Sequence, residues 1–196
     1  MVKNRFLQQV SLFAISLGLL VGSCSKDNTG PEEEEKKQEV VAVKDLNGLD
    51  KGGVYFSLER NKETEESATD WDIKITGTTI GFGNGAVGQL VEGLLSSYHT
   101  APTEGYSTSG ITGNNTYYVN TLYNTPQHAI LMKPGVLILV RTSKGNYVKL
   151  EMVSYYKGNP SVTIADFADI PTRGEKWPKQ HYTFNYVLQG NGSNKF

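Results

Sequence analysis

Apolar and polar side chains alternate with a period of two along several short stretches of this chain, and turn residues separate those stretches. Residues 136–140 are continuously apolar; Ser143-Lys144-Gly145-Asn146 then supplies a turn, after which Val148, Leu150 and Met152 alternate with Lys149 and Glu151. This pattern predicts a β-hairpin whose first strand is covered on both faces. Trp71, Ile73 and Ile75 share one face of a half-buried strand over residues 70–76, with Asp70, Asp72, Lys74 and Thr76 on the solvent side. Tyr182, Phe184, Tyr186 and Leu188 point one way in a further strand, with His181, Thr183, Asn185 and Val187 opposite. Residues 54–58 and 117–123 are weaker strand candidates. Only residues 89–98 look helical, because Leu90, Val91, Leu94 and Leu95 fall on one helical face. The expectation is a single, predominantly antiparallel all-β domain with at most one short helix. The 21 glycines and 11 tyrosines among 196 residues agree with strands and tight turns.

The N-terminus is read separately from this domain. Lys3 and Arg5 precede an apolar run over residues 10–21, which ends in Val21-Gly22-Ser23-Cys24. A basic head, a short apolar segment and small residues before a break describe a secretory signal. The run is shorter than the roughly 20 residues a membrane helix needs. Small residues directly before the only cysteine resemble a bacterial lipobox, in which Cys24 is acylated and anchors the mature chain in the lipid bilayer. Residues 1–23 are therefore expected to be a signal peptide, and residues 24–39 a lipidated cysteine and a tether. From Ser25 to Glu39 the chain carries six acids and three bases and no apolar side chain before the domain begins at residue 40.

Charge and motif content exclude several functions. With 19 basic and 20 acidic residues, the chain offers no basic excess for nucleic acid. Cys24 is consumed by the anchor, no serine sits in G-x-S-x-G, and no two of the three histidines are spaced as zinc ligands. No nucleophile–base pair emerges, so an enzyme is not expected. Gly83-Asn84-Gly85-Ala86-Val87-Gly88 matches the dinucleotide pattern G-x-G-x-x-G, yet strands and turns rather than alternating helices follow it. These glycines are expected to serve turns.

Four segments resemble those of the HmuY family of Bacteroidetes haem-binding, hemophore-like lipoproteins. They are Thr69-Asp70-Trp71-Asp72-Ile73; Ala101-Pro102-Thr103-Glu104-Gly105-Tyr106; the eleven residues from Val140 to Leu150; and Tyr182-Thr183-Phe184-Asn185-Tyr186. The resemblance runs from about residue 40 to the C-terminus, and the lipobox and acidic tether accord with it. It implies an all-β fold that grips haem between projecting lobes, with His or Met as axial ligands. It also implies iron acquisition by delivery of haem to a TonB-dependent outer-membrane receptor, from a lipid-anchored position at the outer membrane, facing the cell surface or, as the alternative, the periplasm.

Candidate ligands follow from that resemblance. His128, in Asn124-Thr125-Pro126-Gln127-His128, lies where the family places its second ligand. Met132 follows four residues later, and a thioether also ligates haem iron. His99 is a third candidate, with a solvated loop position as its ordinary reading. His181 is assigned to a polar strand face and Met152 to the core. Haem-binding members carry one axial ligand in a long stretch after the segment matching Tyr106, whereas here only residues 107–116 precede the strand at Tyr117. The competing hypothesis is a binding module without haem, holding a glycan or protein partner through exposed aromatics such as Tyr106, Tyr117 and Tyr118.

Overall fold

The hairpin read around Gly145 lies within the larger of two sheets that close over one core. The structure is a computed structural model that describes residues 38–196. The signal, Cys24 and nearly all of the tether lie outside the described residues. The strands are β1 (Val41–Asn47), β2 (Val54–Ser57), β3 (Lys62–Thr64), β4 (Ile73–Thr76), β5 (Thr79–Phe82), β6 (Val87–Glu92), β7 (Tyr118–Asn120), β8 (Ile130–Met132), β9 (Val136–Arg141), β10 (Tyr147–Tyr156) and β11 (Lys179–Gln189). Two short helices, α1 (Ala165–Ala168) and α2 (Ile170–Lys176), stand between β10 and β11. A five-stranded sheet has the order β1-β11-β10-β9-β6, a four-stranded sheet the order β3-β2-β4-β5, and β7 and β8 form a separate ribbon. Every strand pairing among these is antiparallel, as expected.

Strand periodicity assigns the faces. In the β9–β10 hairpin Val148 pairs Val140 and Leu150 pairs Ile138. These four, with Met152, Phe184 and Tyr186, share one core with Val54, Phe56, Ile73, Ile75 and Ile80 of the smaller sheet. The opposite face of the larger sheet presents Leu137, Leu139 and Val187, covered by Leu95, Ala101, Tyr98 and Phe196. The apolar run 136–140 is thus buried on both sides, which is why it lacks alternation. Lys149 shares the outer face with Leu139, its register partner; its Nζ donates to the Tyr98 carbonyl at 2.8 Å and lies 4.8 Å from the Phe196 ring centre.

Several expectations are corrected. Residues 89–98 are not helical: β6 pairs residue by residue with β9, and only one turn follows, with the Ser97 and Tyr98 amides donating to the Leu94 carbonyl. Leu90, Val91, Leu94 and Leu95 suit a helix face, but β9 has an open edge that a strand satisfies better, and Gly93 interrupts the segment. The helices occur instead at α1 and α2. Pro171 opens α2, and the Asp169 carboxylate caps it by accepting from the Thr172 amide at 2.9 Å. Asp72 is not solvated. It is 1% exposed and its Oδ2 accepts from the Leu58 amide at 2.8 Å. Tyr117 and Tyr118 are buried, so they are not exposed binding aromatics, and Tyr106 is half-buried.

The glycine motif resolves into packing. An added Cβ at Gly83 would lie 1.9 Å from the Trp71 ring, and one at Gly88 would lie 2.0 Å from the Phe82 ring. Only Gly85, with φ +86°, serves a left-handed turn. Two of the three glycines therefore admit aromatic rings rather than a phosphate.

Candidate functional site

The ribbon of β7 and β8 carries the loop in which His128 lies. Tyr118 pairs Met132 and Asn120 pairs Ile130, so the strands end facing a loop over residues 121–129. Thr121 organises it. Its amide donates to the Ala129 carbonyl at 2.9 Å, its Oγ1 accepts from the Ala129 amide at 2.9 Å, and its hydroxyl donates to the Pro126 carbonyl. The His128 amide donates to the Leu122 carbonyl at 2.7 Å. Leu122 and His128 both adopt left-handed backbone, at φ +50° and +51°. That conformation is unfavourable for side chains of this size and persists only when the surroundings over-determine it. Here it turns Leu122, Tyr123 and His128 outward. Tyr123 is 81% exposed, and the His128 ring stands edge-on to it with centroids 5.6 Å apart.

Beneath this rim the ribbon faces the end of β10 and the segment that follows. A cleft of about 220 Å³ opens between Ile130, Leu131 and Met132 on one side and Tyr155, Pro160 and Val162 on the other. The Ile130 amide donates to the Tyr156 hydroxyl at 3.0 Å, which ties the two walls. Burial pushes the Tyr155 hydroxyl up to about 12, so this wall stays uncharged across the physiological range. Past Val162 the chain leaves Ile164 and Ile170 exposed before α2 returns it to the core. Arg173 of α2 is buried and reaches back across the gap. Its guanidinium donates to the Phe167 carbonyl at 2.9 Å, the Gln127 carbonyl at 2.7 Å and the His128 carbonyl at 3.4 Å.

The candidate residues are distributed as follows. His128 stands exposed on the rim. Met132 is half-buried, packed against the main core while it lines the cleft. His99 is exposed and is not brought to the cleft. It follows Tyr98, which covers the outer face of the five-stranded sheet, and its carbonyl accepts from the Phe196 amide at 2.7 Å. His181, expected on a polar face, is only 8% exposed, with Nδ1 3.1 Å from the Lys179 carbonyl. Met152 is core, as expected. Cys24 lies outside the described residues. Sequence reasoning missed Arg173, Tyr123 and the apolar segment 162–170. The available signals were Asp169 before Pro171, a helix start, and the alternation of Val162 and Ile164 with polar neighbours.

Among the described residues no group of three or more His, Cys, Asp or Glu could hold a bare metal ion. A haem needs less from the chain, because the macrocycle supplies four of the iron's ligands and the protein only axial donors and apolar walls. The exposed His128 imidazole beside the Tyr123 ring would hold the iron of such a group, with Met132 as a second donor in the neighbouring cleft.

No family model and no curated protein matches the chain. Among solved structures, it is similar to the apo HmuY analogue of Tannerella forsythia at 13% identity, over 79% of this chain and 96% of that one, with TM-score 0.48. It is also similar to a candidate lipoprotein of Bacteroides fragilis at 12% identity, over 76% and 87% of the two chains, with TM-score 0.40. A candidate HmuY-like haem-binding protein of Bacteroides vulgatus aligns at 8% identity over 76% of this chain and 90% of its own, with TM-score 0.42.

Proposed function

We propose that this chain is a lipid-anchored envelope protein of the HmuY type that captures haem at the ribbon rim, with His128 as the axial ligand. In this reading residues 1–23 are the signal, Cys24 carries the lipid, residues 24–39 are the tether, and residues 40–196 form the binding domain. The observation that carries it is the exposed His128 imidazole, set edge-on to the exposed Tyr123 ring in the loop that leads into β8, whose residues line the cleft. At about 220 Å³ the cleft is smaller than the roughly 300–1,000 Å³ of ordinary ligand pockets. A macrocycle would therefore lie across the rim, against Tyr123 and the apolar side chains of segment 162–170, rather than sink into it. Met132 is the second donor in order, since its half-buried thioether already lines the cleft. Exposed cargo of this kind suits handing on to a TonB-dependent outer-membrane receptor. The glycan or protein alternative loses Tyr117 and Tyr118, which are core residues, and keeps only the half-buried Tyr106 of the aromatics expected for it.

The test is a haemin titration of the wild type, His128→Ala and Met132→Ala. A saturable Soret shift is expected in the wild type, strongly weakened in His128→Ala and less so in Met132→Ala. Equal spectra and affinities for all three proteins would remove this loop as the site.

A further inference from the structure

Arg173 is 5% exposed, and among the described residues no carboxylate lies within salt-bridge distance of its guanidinium. A buried cation needs partners, and here they are backbone carbonyls from two separate parts of the chain. One N–H donates to Phe167 of α1; another nitrogen donates to Gln127 and His128 of the ribbon loop. The Phe167 ring lies 5.2 Å from the guanidinium carbon and is itself fully buried against Tyr156, so the arginine is fixed from behind. The consequence falls on His128. Its amide is held by the Leu122 carbonyl and its carbonyl by Arg173, which leaves the imidazole as its free polar group. A residue at φ +51° needs such constraints, and the guanidinium supplies the one that comes from outside the loop.

We propose that Arg173 is the positioning residue of the haem site: its forked guanidinium ties the helical segment to the His128 carbonyl and so fixes the direction in which the imidazole leaves the rim. This rests on the reading of His128 as the ligand. Lysine keeps the charge but has one nitrogen and cannot span both carbonyl groups, so Arg173→Lys is the diagnostic change. Arg173→Gln, which keeps an amide donor, is the second variant. Residues that orient a ligand from behind typically cost about 10–100-fold in metal affinity when removed, and the same loss of haemin affinity is expected here. Two readouts separate positioning from general loosening of the fold. Hydrogen exchange at the His128 amide should quicken in Arg173→Lys without ligand, while amides of β9 and β10 stay protected. In a double-mutant cycle, Arg173→Lys should cost haemin affinity in the wild type and almost nothing in the His128→Ala background. An equal loss in both backgrounds, or unchanged His128 exchange, overturns the inference while His128 stands as ligand. Failure of the wild type to take up haemin overturns the ligand reading and this inference with it.

Discussion

Asp72 is buried directly before β4, hydrogen-bonded to the end of β2, and replacing it with asparagine should change how stability depends on pH. The side chain is 1% exposed, and its Oδ2 accepts from the Leu58 amide at 2.8 Å. Glu59 lies beside it, held by the Thr142 hydroxyl at 2.6 Å and the Asn146 amide at 3.0 Å, with Lys144 Nζ 3.9 Å away. The Tyr186 hydroxyl donates to the Leu58 carbonyl at 3.0 Å and completes the cluster. Burial is the largest influence on the Asp72 carboxyl and outweighs the Leu58 and Glu59 amides, so its pKa rises from 3.8 to about 6; the Glu59 charge adds to the rise and Lys144 opposes it. The folded protein thus holds this proton more tightly than the unfolded chain does. The stabilisation is complete below the unfolded value of 3.8, and it is lost as pH rises towards about 6. At 1.36 kcal/mol per pKa unit, that shift is worth about 3 kcal/mol. Asparagine keeps an acceptor for the Leu58 amide and cannot ionise. Urea unfolding of wild type and Asp72→Asn at about pH 4 and about pH 7.5 isolates this group from all the others. With a slope of about 1–3 kcal/mol per molar, the midpoint of Asp72→Asn should gain about 1 M or more on the wild type between those conditions. Parallel pH profiles, or a wild type that gains on the variant as pH rises, would show that the amide hydrogen bonds outweigh burial and refute the reasoning.

Gly88→Ala should destabilise the domain by about 1–3 kcal/mol, because its Cβ would lie 2.0 Å from the half-buried Phe82 ring; chemical denaturation measures it, and an unchanged midpoint would mean the ring yields freely. Cys24→Ala should release the protein from membrane fractions in detergent-free fractionation, since Cys24 is the chain's only thiol; unchanged membrane association would exclude lipidation at that residue.

The parts of the fold legible in the sequence are those whose cause is local. The β9–β10 hairpin declares itself because Gly145, at φ +83°, sits in the turn and the alternation of Val148, Leu150 and Met152 begins directly after it. β11 is legible for the same reason, with Tyr182, Phe184 and Tyr186 all on the core side. Residues 89–98 are not, because Leu90 and Val91 satisfy a helical face and a strand equally well. What decides between them is the edge of β9, where Leu90 pairs Ile138, nearly fifty residues on. Asp72 is misread on the same grounds: the Leu58 amide that needs an acceptor comes from another part of the chain. At the candidate site, the sequence points to His128 through its loop but not to what holds it. Helices of four and seven residues are too short to show a period, so the segment that brings Arg173 to the loop leaves only its Asp169 cap as a trace.

The distribution of strain sharpens the case for the rim. Leu137, Leu139, Ile73 and Phe184 are fully buried, so this fold buries apolar side chains thoroughly wherever its sheets reach. Among the described residues the exposed large apolar side chains are Val40, Leu49 and Leu94, and then Leu122, Tyr123, Val162, Ile164 and Ile170, which belong to the ribbon loop or to the segment beyond the cleft. In the same loop two large residues stand in left-handed backbone, each at a cost of about 1–3 kcal/mol. Turning Leu122 or His128 back to ordinary backbone would relieve that cost. The loop instead holds both outward through Thr121, the Leu122 carbonyl and Arg173. Left-handed backbone at large residues and exposed apolar side chains thus coincide in the ribbon loop, at Leu122 and beside His128.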